Sequence, residues 1–184
     1  MKEYNITLPL TEEIIRELRA GDRVLLNGIM YTGRDDAHMR LIEMLREGTE
    51  LPVDLRGECI YYAGPCPAKP GHAIGSAGPT TSGRMDSMTP ALLDLGLKGM
   101  IGKGQRSTEV VDSMKKNCCV YFAAAGGTGA LLSHCIKKAD VEAFPELGPE
   151  AIYKLEVEDF PVVVAVDCCG GDIYKDGVKN FGRE

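Results

Sequence analysis

The chain has no C-x-x-C pair, no apolar run approaching about 20 residues and no excess of positive charge. Each absence removes a class of function. Without C-x-x-C, a self-contained zinc site or iron–sulfur cluster is not expected. Without a long apolar run, nothing is expected to span a membrane. The formal net charge of −6 argues against a nucleic-acid partner, which wants a basic face. The opening segment 1–15 also lacks the apolar core of a secretory leader. The seven cysteines (Cys59, Cys66, Cys118, Cys119, Cys135, Cys168, Cys169) are odd in number. Together these features point to reduced thiols and a cytoplasmic location, with most cysteines read as small core residues in or beside strands. No internal repeat or low-complexity segment breaks the chain. Its 184 residues, 44% hydrophobic and 26% charged, suffice for one domain, 1–184, with a sizeable core.

The patterning alternates strands with helices. Residues 4–10 read as a strand, and Thr11 caps a helix that Gly21-Asp22 ends. Residues 23–32 read as a second strand with a bulge or close approach at Gly28. Thr32 and Asp35 form a capping-box-like helix start, and Gly48 stops that helix. A third strand is expected over 56–63. Residues 64–78, rich in glycine and proline, read as a functional loop. A helix begins near Thr80–Gly83 and restarts at a Thr89 cap ahead of Pro90. Further strands are expected at 98–102, 119–125, 162–166 and 172–174. Helices are expected from Ser107 to Asn117, from 130 to 136 and from Pro149 to about Val157, and 175–184 reads as a frayed tail. The loop Gly126-Gly127-Thr128-Gly129 lacks the lysine of a P-loop and the third glycine of a dinucleotide fingerprint.

Three strand-to-helix turns, at 32–35, 80–84 and 103–107, each combine glycine, a hydroxyl and a cation. In open α/β sheets such turns gather on one edge, where helix N-termini expose N–H groups. If the three converge, Arg34, Arg84 and Lys103 make a positive pocket for a dicarboxylate, with Thr80, Thr81 and Arg106 beside it. His38 lies one helical turn beyond Arg34 on the same face. A threonine needs neighbouring cations to act as a base, and neither an acidic partner nor a Lewis acid is visible. The chain therefore reads as half of an active site.

The motifs GPTTSGRMD and KGQRS, with TGRDDAH, IYYAGP and ELGPEAIYKLEVEDFPVVVAVDCCGGDIY, resemble the C-terminal region of class I iron–sulfur-dependent fumarases. They also resemble the β subunit of two-chain fumarases and L-tartrate dehydratases. The resemblance covers nearly the whole chain. It implies an α/β fold, a swivelling β/β/α domain with mixed sheets and flanking helices, and reversible hydration of a dicarboxylate alkene. Carried over, the base falls on Thr80 and the substrate-carboxylate ligands on Arg34, Arg84 and Lys103. His38 falls on an active-site histidine of the tartrate relatives. The resemblance also implies a [4Fe-4S] cluster ligated by a partner α subunit, matching none of these seven cysteines. KGQRS, close to the KGNRS of fumarases, and TGRD favour fumarate over tartrate, while the 64–78 loop departs from the longer enzymes. The other readings are a tartrate dehydratase β subunit and a non-catalytic partner-binding module; a homodimer of the isolated chain stays open.

Overall fold

The structure, a computed structural model, describes residues 1–182. Its elements are β1 (Glu3–Thr7), α1 (Glu12–Glu17), β2 (Arg23–Thr32), α2 (Asp35–Glu47), β3 (Cys59–Tyr61), α3 (Thr89–Asp94), β4 (Gly99–Gly102), α4 (Thr108–Asn117), β5 (Val120–Ala123), α5 (Gly129–Ser133), β6 (Ile136–Ala143), β7 (Ile152–Val166) and α6 (Ile173–Phe181). Two 3₁₀ segments, Ser82–Met85 and Pro145–Glu150, interrupt them.

The fold is mixed α/β: one seven-stranded sheet, ordered β1-β2-β3-β4-β5-β7-β6, with flanking helices. Strands β1 to β5 pair in parallel, each with the next. Parallel neighbours need crossovers, and α1 to α4 supply them. The 15-residue β7 runs antiparallel to β5, β6 and β2 at once. Because β7 also returns to β2, the strands β2-β3-β4-β5-β7 form a closed ring.

The period-two alternation of the strands sorts their side chains into two cores. Tyr61, Ile101 and Phe122 join Leu26, Leu155 and Phe160 within the ring. Their neighbours Tyr62, Met100 and Tyr121 face outward and pack with Leu41 of α2, Leu92 of α3 and Met114 of α4. Each such fully buried side chain contributes roughly 1.5–3 kcal/mol. Gly28 sits at a register shift in β2 with φ +101°, and a Cβ there would lie 3.2 Å from the Leu8 carbonyl oxygen, so both expectations for it hold. Among the described residues no helix is long and apolar enough to cross a membrane.

Several expectations are corrected. The first helix ends at Glu17, before Gly21-Asp22, because the Asp22 carboxylate collects the Lys2 and Arg19 N–H groups at 2.7 and 3.0 Å. Thr32 does not cap α2. Its hydroxyl donates to the Ala151 carbonyl (3.2 Å) and accepts from Tyr153 N–H (2.9 Å), sewing β2 to β7. Thr89 opens α3 but does not cap it, since its hydroxyl turns back to the Met85 carbonyl. The expected strands at 56–63 and 119–125 shorten to β3 and β5, and the helix expected over 130–136 becomes α5, leaving Ile136 to begin β6. No helix runs from Pro149 to Val157. Ile152, Leu155 and Val157 are buried residues of the first half of β7, and sheet burial outweighs the proline signal. Residues 172–174 are not a strand. Asp172 makes one bridge to Val166, then caps α6 by accepting from Tyr174 N–H at 2.9 Å. The expected tail is thus helical to Phe181, and residues 183–184 lie outside the described ones.

Candidate active site

Strands β2, β3 and β4 end together, and the three turns meet there. Thr80 N–H donates to the Tyr62 carbonyl just beyond β3 (2.7 Å). Lys103 N–H, just beyond β4, donates to the Thr80 carbonyl (3.1 Å), and Ser82 N–H donates to the Lys103 carbonyl (2.9 Å). Thr81 and Lys103 thereby form a parallel bridge, and Thr80, Thr81 and Lys103 share one short ladder. The chain then folds into the 3₁₀ segment, from which Arg84 Nε donates to Asp35 Oδ1 at 2.9 Å. The other oxygen of Asp35 lies 3.9 Å from Arg34 Nε. One carboxylate thus joins the first turn to the second. Lys103 and Thr81 are exposed and Thr80 is half-buried. Among the described residues Lys103 forms no ion pair, and a Cβ on Gly126 of the glycine loop would lie 3.7 Å from its Cδ.

Arg34 occupies the cap position of α2 without a side-chain cap of its own. Glu150, from the segment before β7, fills that role. One of its oxygens accepts from Asp36 N–H (3.0 Å) and the other pairs with Arg34 Nη2 (3.2 Å). Gly64 leaves the space in which the guanidinium lies, since a Cβ there would sit 2.6 Å from Nη1. Three buried polar atoms in this one helical turn have no hydrogen-bond partner: Arg34 Nε, Asp35 Oδ2 and His38 Nε2. Unsatisfied polar atoms are rare in protein interiors, and these three share one turn.

His38 is fully buried, its ring edge against Tyr62 with centroids 5.3 Å apart. Nδ1–H donates to the Arg34 carbonyl at 2.8 Å. Burial lowers its pKa to about 4, only partly opposed by that carbonyl. At neutral pH the imidazole is neutral, with Nε2 as an acceptor.

Arg106, expected beside the substrate, points the other way. Its side chain is wholly buried beneath the ladder. Nε donates to Asp86 Oδ1 (2.7 Å), Nη1 to Tyr62 Oη (3.1 Å) and Nη2 to Thr89 Oγ1 (2.7 Å). The guanidinium also lies 5.2 Å from the ring centroids of both Tyr62 and Tyr121. Asp86 Oδ2 accepts from Ser107 N–H, which ties the second turn to the third. Tyr174 supports the third turn from α6 by accepting from Gly104 N–H at 3.2 Å. Asp35, Glu150, Asp86 and Tyr174 were not anticipated as parts of this site. Asp35 and Asp86 stand within the motifs themselves, whereas the reach of Glu150 and Tyr174 carries no local signal.

Among the described residues no three His, Cys, Asp or Glu side chains gather into a metal-ligand set. Cys59, Cys118 and Cys119 are buried, and Cys66 lies exposed on the 64–78 loop.

A family model described as Fumarase C-terminus matches residues 1–177. This chain belongs to the fumarase C-terminus family. The match includes every residue of the site just described. Within that family the chain is 45% identical over 84% of its length to "Fumarate hydratase 2" of Leishmania major. It is 43% identical over 89% of its length to "Fumarate hydratase class I, aerobic" of Salmonella typhimurium. It covers only 28% and 29% of those two proteins, so the fumarase C-terminus unit spans under a third of their length. It is also 41% identical over 91% of its length to the "Putative L(+)-tartrate dehydratase subunit beta" of Methanocaldococcus jannaschii, of which it covers 89%.

Proposed function

We propose that residues 1–184 are a single swivelling β/β/α domain, the β subunit of a two-chain cytoplasmic hydro-lyase that interconverts fumarate and (S)-malate. In this reading a separate α subunit completes the active site and ligates a [4Fe-4S] cluster. The relative of 89% coverage, named as a β subunit, supports the two-chain arrangement.

The observation that carries the reading is the meeting of three cationic turns around Thr80. Arg84 and Lys103 stand exposed at the rim, and Arg34 lies deeper, so two carboxylates can be gripped from two sides. Asp35 and Glu150 hold the two arginines in the way substrate carboxylates would. We assign Thr80 Oγ1 as the base that takes the C3 proton of malate. A threonine base needs cations to favour its alkoxide, and Arg34, Arg84 and Lys103 on the three turns are the groups we assign to that. Thr81 lines the same rim. His38 and Arg106 become positioning residues, because neither reaches the surface: His38 holds the Arg34 carbonyl, and Arg106 holds Asp86 and Tyr62, the residue whose carbonyl accepts from Thr80 N–H.

A second reading, tartrate dehydratase β subunit, rests on the same relative. The test mixes this chain with its α partner and follows malate–fumarate and tartrate–oxaloacetate conversion side by side. Faster turnover of malate supports the proposal, and faster turnover of tartrate selects the second reading. No turnover of either substrate in a saturated complex would contradict both and leave a partner-binding module.

A further inference from the structure

A second cluster of reactive side chains lies away from the three turns, where α1, the end of α4 and the turn after β7 come together. Arg16, Arg19, Lys115, Cys118, Cys168 and Cys169 line a recess of about 270 Å³. Cys118 ends α4 and is buried, Cys168 is half-buried and Cys169 is exposed, so the sulfurs step from core to solvent. Cys168 stands between the other two in exposure, and all three cysteines line this one recess.

The turn that carries two of them is held firmly. Asp167 accepts from Cys169 and Gly171 N–H groups, both at 2.9 Å, and from Ala20 N–H at 3.0 Å. Gly170, at φ +93°, is pressed against α4, and a Cβ there would lie 2.5 Å from Lys115 Cε. Three cations face the thiols. Arg16 and Lys115 have the carboxylates of Glu12 and Asp112 beside them, whereas Arg19 donates only to the backbone carbonyls of Arg16 and Leu18 among the described residues.

We propose that Cys118, Cys168 and Cys169 form a thiol-exchange site for the disulfide of a small anionic thiol, closing to a Cys118–Cys168 bond. The Cys169 thiolate attacks one sulfur of the incoming disulfide, and the other half leaves as a thiolate. Cys168 then attacks the small-thiol sulfur of that adduct, takes this half over and frees the Cys169 thiolate. Cys118 attacks the Cys168 sulfur and releases the second half as a thiolate. Two protein thiols give two electrons and two protons to one disulfide, which leaves as two small thiols. The cations select the anionic reagent and stabilise its leaving thiolate. Burial and the flanking sulfurs push the Cys168 pKa up to about 11, so the first attack belongs to the exposed Cys169.

The full reduced chain is incubated with oxidised glutathione at neutral pH, then alkylated and mapped by peptide mass, using variants whose thermal melting matches wild type. The expected product links the Cys118 and Cys168 peptides, with Cys59 and Cys119 unreacted. Cys168→Ser should stop at a glutathione adduct on Cys169, and Cys169→Ser should slow linkage at least about tenfold. Arg19→Gln should slow the reaction with glutathione disulfide severalfold and leave that with the neutral hydroxyethyl disulfide unchanged. Linkage at the wild-type rate in the Cys169→Ser chain, or adducts forming on Cys66 as fast as on Cys169 with no linked pair in the wild-type chain, would overturn the proposal. These readouts do not involve turnover, so they stand or fall apart from the hydro-lyase reading.

Discussion

Arg84 and Arg106 come from the same stretch of sequence and meet opposite fates. Arg84 is 52% exposed and holds one carboxylate oxygen of Asp35, whereas the Arg106 side chain is fully buried with Asp86, Tyr62 and Thr89 around it. The site has two layers. An open layer of Arg84, Lys103 and Thr81 faces outward, and a closed layer of Arg106, Asp86, Tyr62 and His38 sets its geometry from beneath. A cation near a site is thus not read by charge alone. What decides its role is whether its donors are already committed.

Substitutions in the closed layer should act on stability and those in the open layer on turnover. Arg106→Met should have the largest effect, lowering unfolding free energy by about 3–5 kcal/mol, because Asp86 keeps its charge without its partner. Chemical denaturation checks this, and an unchanged midpoint would move Arg106 out of the closed layer. Arg84→Ala should cost about 2–4 kcal/mol in kcat/KM of the assembled enzyme, while stability changes by under about 1 kcal/mol because the pair is exposed. A large fall in stability with unchanged kinetics would reverse the assignment.

His38 sharpens the comparison through pH. Its folded pKa of about 4 lies below the ordinary value of 6.5, so the unfolded chain binds the extra proton between those values. The stability this contributes is fully present above pH 6.5 and is lost as pH falls towards 4. The loss should reach about 3 kcal/mol. His38→Gln should flatten that slope, as thermal melting across the range would show. A wild-type profile kept by the variant would remove His38 as the cause. Asp35→Asn should have the smallest effect, raising KM within about fivefold by loosening both arginines.

Much of this was legible in local patterning. The hydroxyl caps at Thr11 and Ser107, accepting from Ile14 and Val110 N–H groups, follow from helix-end chemistry, and the Gly28 bulge from a glycine within a strand. The convergence of the turns follows from parallel strands that end at one edge. What escaped depends on distant partners. Thr32 had the sequence of a cap, but β7 claimed its hydroxyl, and Glu150 capped α2 from far along the chain. The edge strand β6 is largely exposed, so it had little apolar alternation to reveal it. Asp172 did carry a cap signal for α6, yet glycines on one side and Gly177 on the other hid the helix.

The most direct test is the rate at which a saturated complex of Thr80→Ala chain and α partner converts malate to fumarate. The account predicts a loss of at least about 100-fold in kcat with little change in melting, as for removal of a general base. Wild-type turnover from that complex would contradict it.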